Sequence, residues 1–278
     1  MASRPEPLRF AAEHQAHLKD YLPPLRTTYL QENTSALNDA QPEPRVPHVT
    51  LTYATSLDSQ ISLQPGVQTV LSGPETKAMT HYLRSQHDAI LVGRGTAEAD
   101  NPGLNSRFSE DGIAVVGLDK QPRPFVLDPR KSLEPNMTPK LLQNAVDGIG
   151  RSPWWIIRDG EVVDEQVWGN VPIIRAGKYE GKESGIDWQT LLVNLAATGV
   201  RSIMIEGGAA VINDLLKEKN QKWISSVIVT IAPTYLGTGG VVVSPQRSDT
   251  AKNEARLTNV RWLPLGQDVV MTGKVGWP

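Results

Sequence analysis

The sequence predicts an α/β protein, and three stretches carry that prediction. His48-Val49-Thr50-Leu51-Thr52-Tyr53-Ala54 is rich in β-branched and aromatic residues, as strands are. Met79 to Arg107 opens with a helical apolar stripe (Met79, Tyr82, Leu83) and passes through the short apolar strand Ala89-Ile90-Leu91-Val92. It ends in the turn Gly93-Arg94-Gly95-Thr96 and a polar tail with Asp100, Asn101 and Arg107. Ser202-Ile203-Met204-Ile205 is a third strand, which Glu206-Gly207-Gly208 terminates, and a helix from Ala209 to Lys217 follows at once. Strand, turn, helix and strand in succession make a βαβ-like unit.

Length and composition narrow the class. A chain of 278 residues and 30.4 kDa, 39% hydrophobic, suffices for one large domain with a real core. A net charge of −2 with a pI near 6.2 leaves no electrostatic footprint for nucleic acid or an anionic membrane. The absence of cysteine removes disulfides, thiolate nucleophiles and cysteine metal sites. The first residues lack an apolar signal core, and no run is long enough to cross a bilayer. Glu6, Glu13 and Asp20 weigh against a transit peptide, so the expectation is a soluble cytoplasmic protein.

Residues 1–45 read as a peripheral arm, with one helix from Phe10 to Tyr21 stopped by Pro23-Pro24 and a loose linker after it. Residues 46–278 read as a single domain. Pro74-Glu75 marks the first turn of the helix that delivers Leu83 and Arg84. Pro124 to Leu127, Trp154 to Ile157 and Pro172 to Ile174 are short strands, and Leu141 to Ile149 is weakly helical. Asp187 caps a helix over Trp188 to Ala197 whose inner face is Trp188, Leu191, Leu192 and Leu195. Val227 to Ile231 is a strand, and Tyr235 to Gly240 is a glycine-rich loop able to close over a site. Leu257 to Leu265 and Val269 to Val275 form a final antiparallel hairpin.

Several chemistries find no residues to carry them. No serine sits in G-x-S-x-G, the five histidines have no metal-ligand spacing, and neither glycine-rich loop is followed by a P-loop lysine. His81 and His87 read as solvated or capping residues on a helix. Asp58 and Asp100 stand at strand ends, but a metal site built on them is disfavoured, and no metal is expected. A redox enzyme with a bound nucleotide fits better. Hydride transfer needs two partners held in contact with water excluded, and two glycine turns can carry the cofactor's backbone. Arg84 and Arg107 can then clamp a separate substrate phosphate, for which guanidinium geometry is suited.

Four segments carry a resemblance. These are Thr52-Tyr53-Ala54-x-Ser56-Leu57-Asp58; His81-Tyr82-Leu83-Arg84-Ser85-x-His87-Asp88; Val92-Gly93-x-Gly95-Thr96-x-x-x-Asp100-x-Pro102-x-Leu104-x-x-Arg107; and Glu206-Gly207-Gly208. From about residue 46 onward the chain resembles the riboflavin-biosynthesis reductase family, in its fungal 2,5-diamino-6-ribosylamino-4(3H)-pyrimidinone 5′-phosphate reductases. The resemblance implies a dihydrofolate-reductase-like fold, with a central mixed, mostly parallel sheet flanked by helices and a C-terminal antiparallel hairpin. It also implies an oxidoreductase that uses NADPH and works as a homodimer. The ribosylamino side chain of a phosphorylated pyrimidinone would be reduced at C1′ to the ribitylamino form.

Residue by residue, the resemblance places Ala54, Thr96, Asp100 and the segment from Gly208 through Ala209, Ala210, Val211 and Ile212 toward Asp214 at the cofactor, and the glycine turns themselves add Gly93, Arg94, Gly95 and Gly207. The resemblance places Arg84, Leu104, Arg107 and Glu206 toward the substrate. Arg94 is expected to reach the 2′-phosphate that distinguishes NADPH from NADH. Glu206 and Asp58 compete for the proton that opens the ribose ring, and Glu206 has the alternative role of binding sugar hydroxyls or amino groups. Two departures stand out: Ser59 replaces the glycine of the bacterial S-L-D-G, and an aromatic expected near Val70 is absent. No deaminase zinc motif is present. The alternatives are a dihydrofolate-type reductase of the same fold and a non-catalytic nucleotide-binding protein.

Overall fold

The computed structural model describes residues 6–24, 46–164, 171–177, 186–250 and 252–276. The linker expected before Val46 lies outside the described residues. The strands are β1 (His48–Thr55), β2 (Gln60–Ser62), β3 (Ala89–Gly93), β4 (Arg123–Leu127), β5 (Trp154–Ile157), β6 (Ile173–Arg175), β7 (Ser202–Gly207), β8 (Ser226–Ile231), β9 (Val241–Val242), β10 (Leu257–Leu265) and β11 (Asp268–Val275). The helices are α1 (Ala12–Leu18), α2 (Pro74–Ser85), α3 (Arg94–Asp100), α4 (Pro139–Val146), α5 (Trp188–Ala197) and α6 (Ala209–Leu215).

Nine strands form one sheet in the order β10-β11-β8-β1-β7-β3-β4-β5-β6. From β8 to β6 all neighbours are parallel; β11 joins β8 antiparallel and closes the hairpin with β10. Parallel strands covered on both faces should be apolar throughout, and β3 and β8 are almost wholly buried.

Alternate residues of each strand feed opposite cores, as the two-residue period requires. Val49, Leu51, Leu91, Ile203 and Ile205 face α5 and α6, meeting Trp188, Leu191, Leu192, Leu195, Val211 and Ile212. Met204 and Ile228 face α2 on the other side, against Met79, Tyr82 and Leu83. Ile90, Val92, Val126 and Trp155 pack on Ala97, Leu104 and Leu141. Burying each large side chain contributes roughly 1.5–3 kcal/mol, so these layers dominate stability. Asp187 caps α5 as expected, taking Thr190 N–H at 3.0 Å.

The N-terminal segment is part of this packing. Phe10, Leu18 and Tyr21 are buried in the core beside α2. Leu8 adds a strand-like bridge to Phe108, with Leu8 N–H on the Arg107 carbonyl at 2.8 Å and Ser109 N–H on the Leu8 carbonyl at 2.9 Å. The expected helix is shorter, Ala12–Leu18 followed by a 3₁₀ turn to Tyr21.

One polar chain crosses the α2-side core. His87 donates Nδ1–H to the Leu83 carbonyl at 2.7 Å and accepts the Thr50 hydroxyl on Nε2 at 2.8 Å, while Ser226 donates to Thr50 Oγ1 at 3.1 Å. His87 is therefore a core residue, not the solvated or capping one expected from sequence. Burial pushes its pKa down to about 4 from 6.5. Between those values the unfolded chain takes up a proton that the folded protein refuses, so stability falls as pH drops through that window. The effect is on the order of 2–3 kcal/mol. The urea midpoint of the wild type should fall more steeply from about pH 7 to about pH 4.5 than that of His87→Gln, and equal slopes would contradict this assignment.

Candidate active site

The carboxyl ends of β1, β7, β3, β4 and β5 open onto one cleft of about 1540 Å³. Ligands of parallel α/β sheets sit at this edge. The volume exceeds an ordinary small-molecule pocket of roughly 300–1,000 Å³, leaving space for two ligands side by side. The cleft is lined by Ala54, by Gly93 to Thr96 with Asp100, and by Glu206 and Gly208 to Val211, which sequence reasoning had placed there.

The two glycine turns are neighbours because β3 pairs with β7. The first is not an open turn with a polar tail, as expected, because α3 begins at Arg94 directly after the strand. A Cβ on Gly93 would stand 2.9 Å from Val211 Cγ2, so glycine is what lets the β3–α3 corner sit against α6. Gly208 has φ +67°, which disfavours any other residue, and a Cβ there would press on Thr96 Oγ1 at 3.1 Å. Neither α3 nor α6 has a side-chain cap, and in α6 Val211 N–H already bonds to the Gly208 carbonyl at 3.0 Å, so the N–H groups ahead of it are the ones available to a ligand. An extended anion such as a pyrophosphate fits this bare double cradle.

Glu206 reaches the cleft through an irregularity. The β3–β7 register runs Leu91 opposite Ile205 and then Val92 opposite Gly207, leaving Glu206 unopposed in a bulge. Bulges re-aim side chains. Here Glu206 meets Arg84 from α2 in a bidentate pair, Nε to Oε1 at 2.8 Å and Nη2 to Oε2 at 2.7 Å, both side chains about 85% covered at 14% and 15% exposure. Arg84 Nη1 also donates to the Asn105 carbonyl at 3.2 Å. The expectation that Arg84 and Arg107 form a two-armed phosphate clamp is thereby corrected: Arg84 spends its fork on Glu206. Glu206 in turn accepts on both oxygens.

Asp58 is corrected more sharply. It does not line the cleft. Its Oδ1 accepts Ser56 Oγ–H at 2.5 Å and Leu236 N–H at 3.1 Å, and its Oδ2 accepts Gly237 N–H and Gln60 Nε2–H, each at 2.8 Å. The Ser56 hydroxyl first, then the Leu236 and Gly237 amides and Gln60, hold its carboxyl well below the usual range. Asp58 is a staple for the Tyr235 to Gly240 loop, and that loop is pinned away from the cleft instead of closing over it.

Arg94 lies on the cleft rim and pairs with Glu98 at 2.8 Å, both side chains nearly half exposed. Asp100 lines the cleft, and burial pushes its pKa upward. Leu104 has φ +52° and a fully buried side chain packed among Ile90 and Val126, so it offers the cleft main chain only. Asp214, at the end of the expected cofactor segment, is occupied by Trp188 Nε1–H at 2.9 Å and Lys217 at 2.9 Å.

Sequence reasoning missed the α2 face of the cleft. Lys77 and His81 line it beside Arg84 and Arg107. His81 is 7% exposed, and its Nδ1 accepts Arg107 N–H at 2.9 Å. The signal was the spacing of Lys77 and His81 with Arg84 on one helix face, from which only Arg84 was drawn toward the site while His81 was read as solvated or capping. Also missed was the far wall, Asp128 to Arg130, Lys140 and Arg158. No group of side chains among the described residues is arranged to hold a metal ion, and no described helix is long and apolar enough to cross a membrane.

Residues 47–271 match the family model of the RibD C-terminal domain. The chain belongs to this family. Among relatives, it is 41% identical over 240 residues to the 2,5-diamino-6-ribosylamino-4(3H)-pyrimidinone 5′-phosphate reductase of Debaryomyces hansenii, covering 82% of this chain and 90% of the relative. It is 38% identical over 233 residues to the Saccharomyces cerevisiae enzyme of the same name, covering 83% and 87%. A solved structure of the Saccharomyces cerevisiae riboflavin biosynthesis reductase Rib7 superposes with a TM-score of 0.71 at 32% identity, over 95% of this chain and all of that one. The RibD-family fold, dihydrofolate-reductase-like with its C-terminal antiparallel pair, is the one described above.

The Arg84–Glu206 pair makes a direct prediction. Arg84→Ala and Glu206→Gln should each destabilise the protein, and the double variant should lose less than the sum, with a coupling of about 1–3 kcal/mol. Urea unfolding of the four proteins measures it. Additive losses would mean that the two side chains do not share an interaction.

Proposed function

We propose that this RibD-family protein reduces the ribosylamino side chain of a pyrimidinone 5′-phosphate to the ribitylamino form, with NADPH as reductant. The reading is carried by one juxtaposition, a bare double glycine cradle and a cationic corner in the same cleft, in a chain 41% identical to a reductase of that name. NADPH supplies the hydride. Gly93 to Thr96 and Gly208 to Val211 would hold its pyrophosphate, and Ala54, small and at the end of β1, lines the same cleft. Arg94, Arg130 and Arg158 line the cleft beyond this cradle and would be available to the cofactor's 2′-phosphate.

The chain's own residues bind and orient. Arg84 holds Glu206 so that the carboxylate faces the sugar, where it accepts hydroxyl or amino hydrogens. This favours the binding role for Glu206 over the proton-donating one. Reduction at C1′ needs the ribose ring opened to the imine; the hydride adds to C1′, the C1′=N double bond becomes single and the nitrogen takes a proton. Of the two carboxyls weighed for proton traffic, Asp58 lies outside the cleft and Glu206 is engaged by Arg84. Homodimer assembly belongs to this reading as well.

The deciding assay is loss of the reduced nicotinamide's absorbance when purified protein, NADPH and the ribosylamino pyrimidinone phosphate are mixed. Turnover is expected; its absence alongside turnover of dihydrofolate would overturn the proposal. Arg94→Ala should lower the NADPH/NADH ratio of kcat/KM by on the order of tenfold, since a charge-assisted contact contributes about 1.5–3 kcal/mol. An unchanged ratio would move 2′-phosphate recognition to Arg130 or Arg158. Asp58→Asn should loosen the 236–237 loop and lower the unfolding midpoint while leaving the acidic limb of the kcat profile in place. A lost acidic limb would restore Asp58 to the chemistry.

A further inference from the structure

The corner of the cleft beneath α2 holds more positive charge than the fold uses. Lys77, His81 and Arg84 lie at i, i+4 and i+7 on one face of α2, and all three line the cleft with Arg107. Arg84 is neutralised by Glu206. Lys77 and Arg107 make no ion pair among the described residues, so two formal positive charges line the cavity without an ion-pair partner there. A phosphate monoester carries about −1.5 to −2 at neutral pH.

The state of His81 follows from its neighbours. Arg107 N–H points at Nδ1 from 2.9 Å, so Nδ1 carries the lone pair. A neutral imidazole that accepts at Nδ1 carries its hydrogen on Nε2. Arg107 Nη2 stands 3.5 Å from that Nε2. Both atoms are then donors, so this is no hydrogen bond but two N–H groups converging on the same space. Burial first, and then the charges of Arg84, Arg107 and Lys77, push the His81 pKa down to about 2, with a weak opposing pull from the Asn105 carbonyl. The ring stays neutral and offers a donor without adding a third charge.

The corner is rigid before any ligand arrives. Ser106 Oγ–H bonds to the His81 carbonyl at 2.6 Å. Gln121 takes Ser106 N–H at 2.7 Å and gives Nε2–H to the Ser106 carbonyl at 2.9 Å. Such preorganisation favours a small, highly charged ligand. The corner is also on the wrong side for the cofactor's pyrophosphate, since α2 packs on the opposite face of the sheet from α6 and its glycine turn.

We propose that Lys77 and the neutral Nε2–H of His81 join Arg107 as the receptor for the substrate's terminal phosphate, while Arg84 acts as the residue that positions Glu206. The proposal rests on the functional reading that the substrate is a phosphate ester. Lys77→Ala tests an exposed residue whose loss leaves the core intact. His81→Asn keeps an acceptor for Arg107 N–H and removes the far donor. Each should raise KM for the pyrimidinone 5′-phosphate roughly ten- to a hundredfold, with kcat and NADPH Kd nearly unchanged. With the dephosphorylated riboside, kcat/KM should be the same in variants and wild type.

Unchanged KM for the phosphate ester, or equal losses on ester and riboside, would overturn the receptor. Calorimetric titration with ribose 5-phosphate separates the two layers of the argument. A wild-type protein that turns over no pyrimidinone phosphate, yet binds ribose 5-phosphate more tightly than both variants, removes the functional reading and keeps the receptor. Equal binding of ribose 5-phosphate by all three proteins removes the receptor whatever the activity.

Discussion

A bidentate contact between α2 and β7 fixes the geometry on which the cleft depends. Without Arg84, the Glu206 carboxylate would be held by the β7 bulge in a nearly closed space with no counter-charge. Removing one partner of such a pair is costly because the other is left without compensation. The contact ties the helix bearing the cationic corner to the strand that leads into the second glycine turn. The α2 wall of the cleft and the strand edge that carries the glycine turn are registered against each other by these two hydrogen bonds.

The bulge and the two glycine turns act as one arrangement. Gly207 and Gly208 both have positive φ, +125° and +67°, so the chain leaves β7 along a path closed to most residues. That path brings α6 close enough for Gly93 to need its missing side chain. Neither turn makes the cradle alone. It arises where adjacent parallel strands each end in a helix, which is a property of strand order.

Elements with strong local signals were legible in the sequence. The apolar runs of β3, β5 and β7, the Asp187 cap and the final hairpin all declare themselves through period or turn chemistry. Glycine turns and strand ends likewise pointed to the edge of the sheet where the cleft opens. What was hidden depended on partners distant in the chain. Arg84 looked free until Glu206, 122 positions later, came to meet it. His87 looked solvated because its partner Thr50 lies 37 positions earlier, on a neighbouring element. Asp58 read as a strand-end acid because the amides of Leu236 and Gly237 cannot be assigned to it by spacing. In α3, the glycine at position 95 weakened a helix signal that tertiary packing against β3 and β4 overrode.

The bridge from Leu8 to residues 107–109 places part of the cleft's architecture outside the region that identifies the family, which begins at residue 47. Its hydrogen bonds run between main-chain atoms, so the support depends on the chain passing through that place and hardly on which side chains it carries. A boundary drawn at residue 47 would cut away a strut of the cleft's α2 wall.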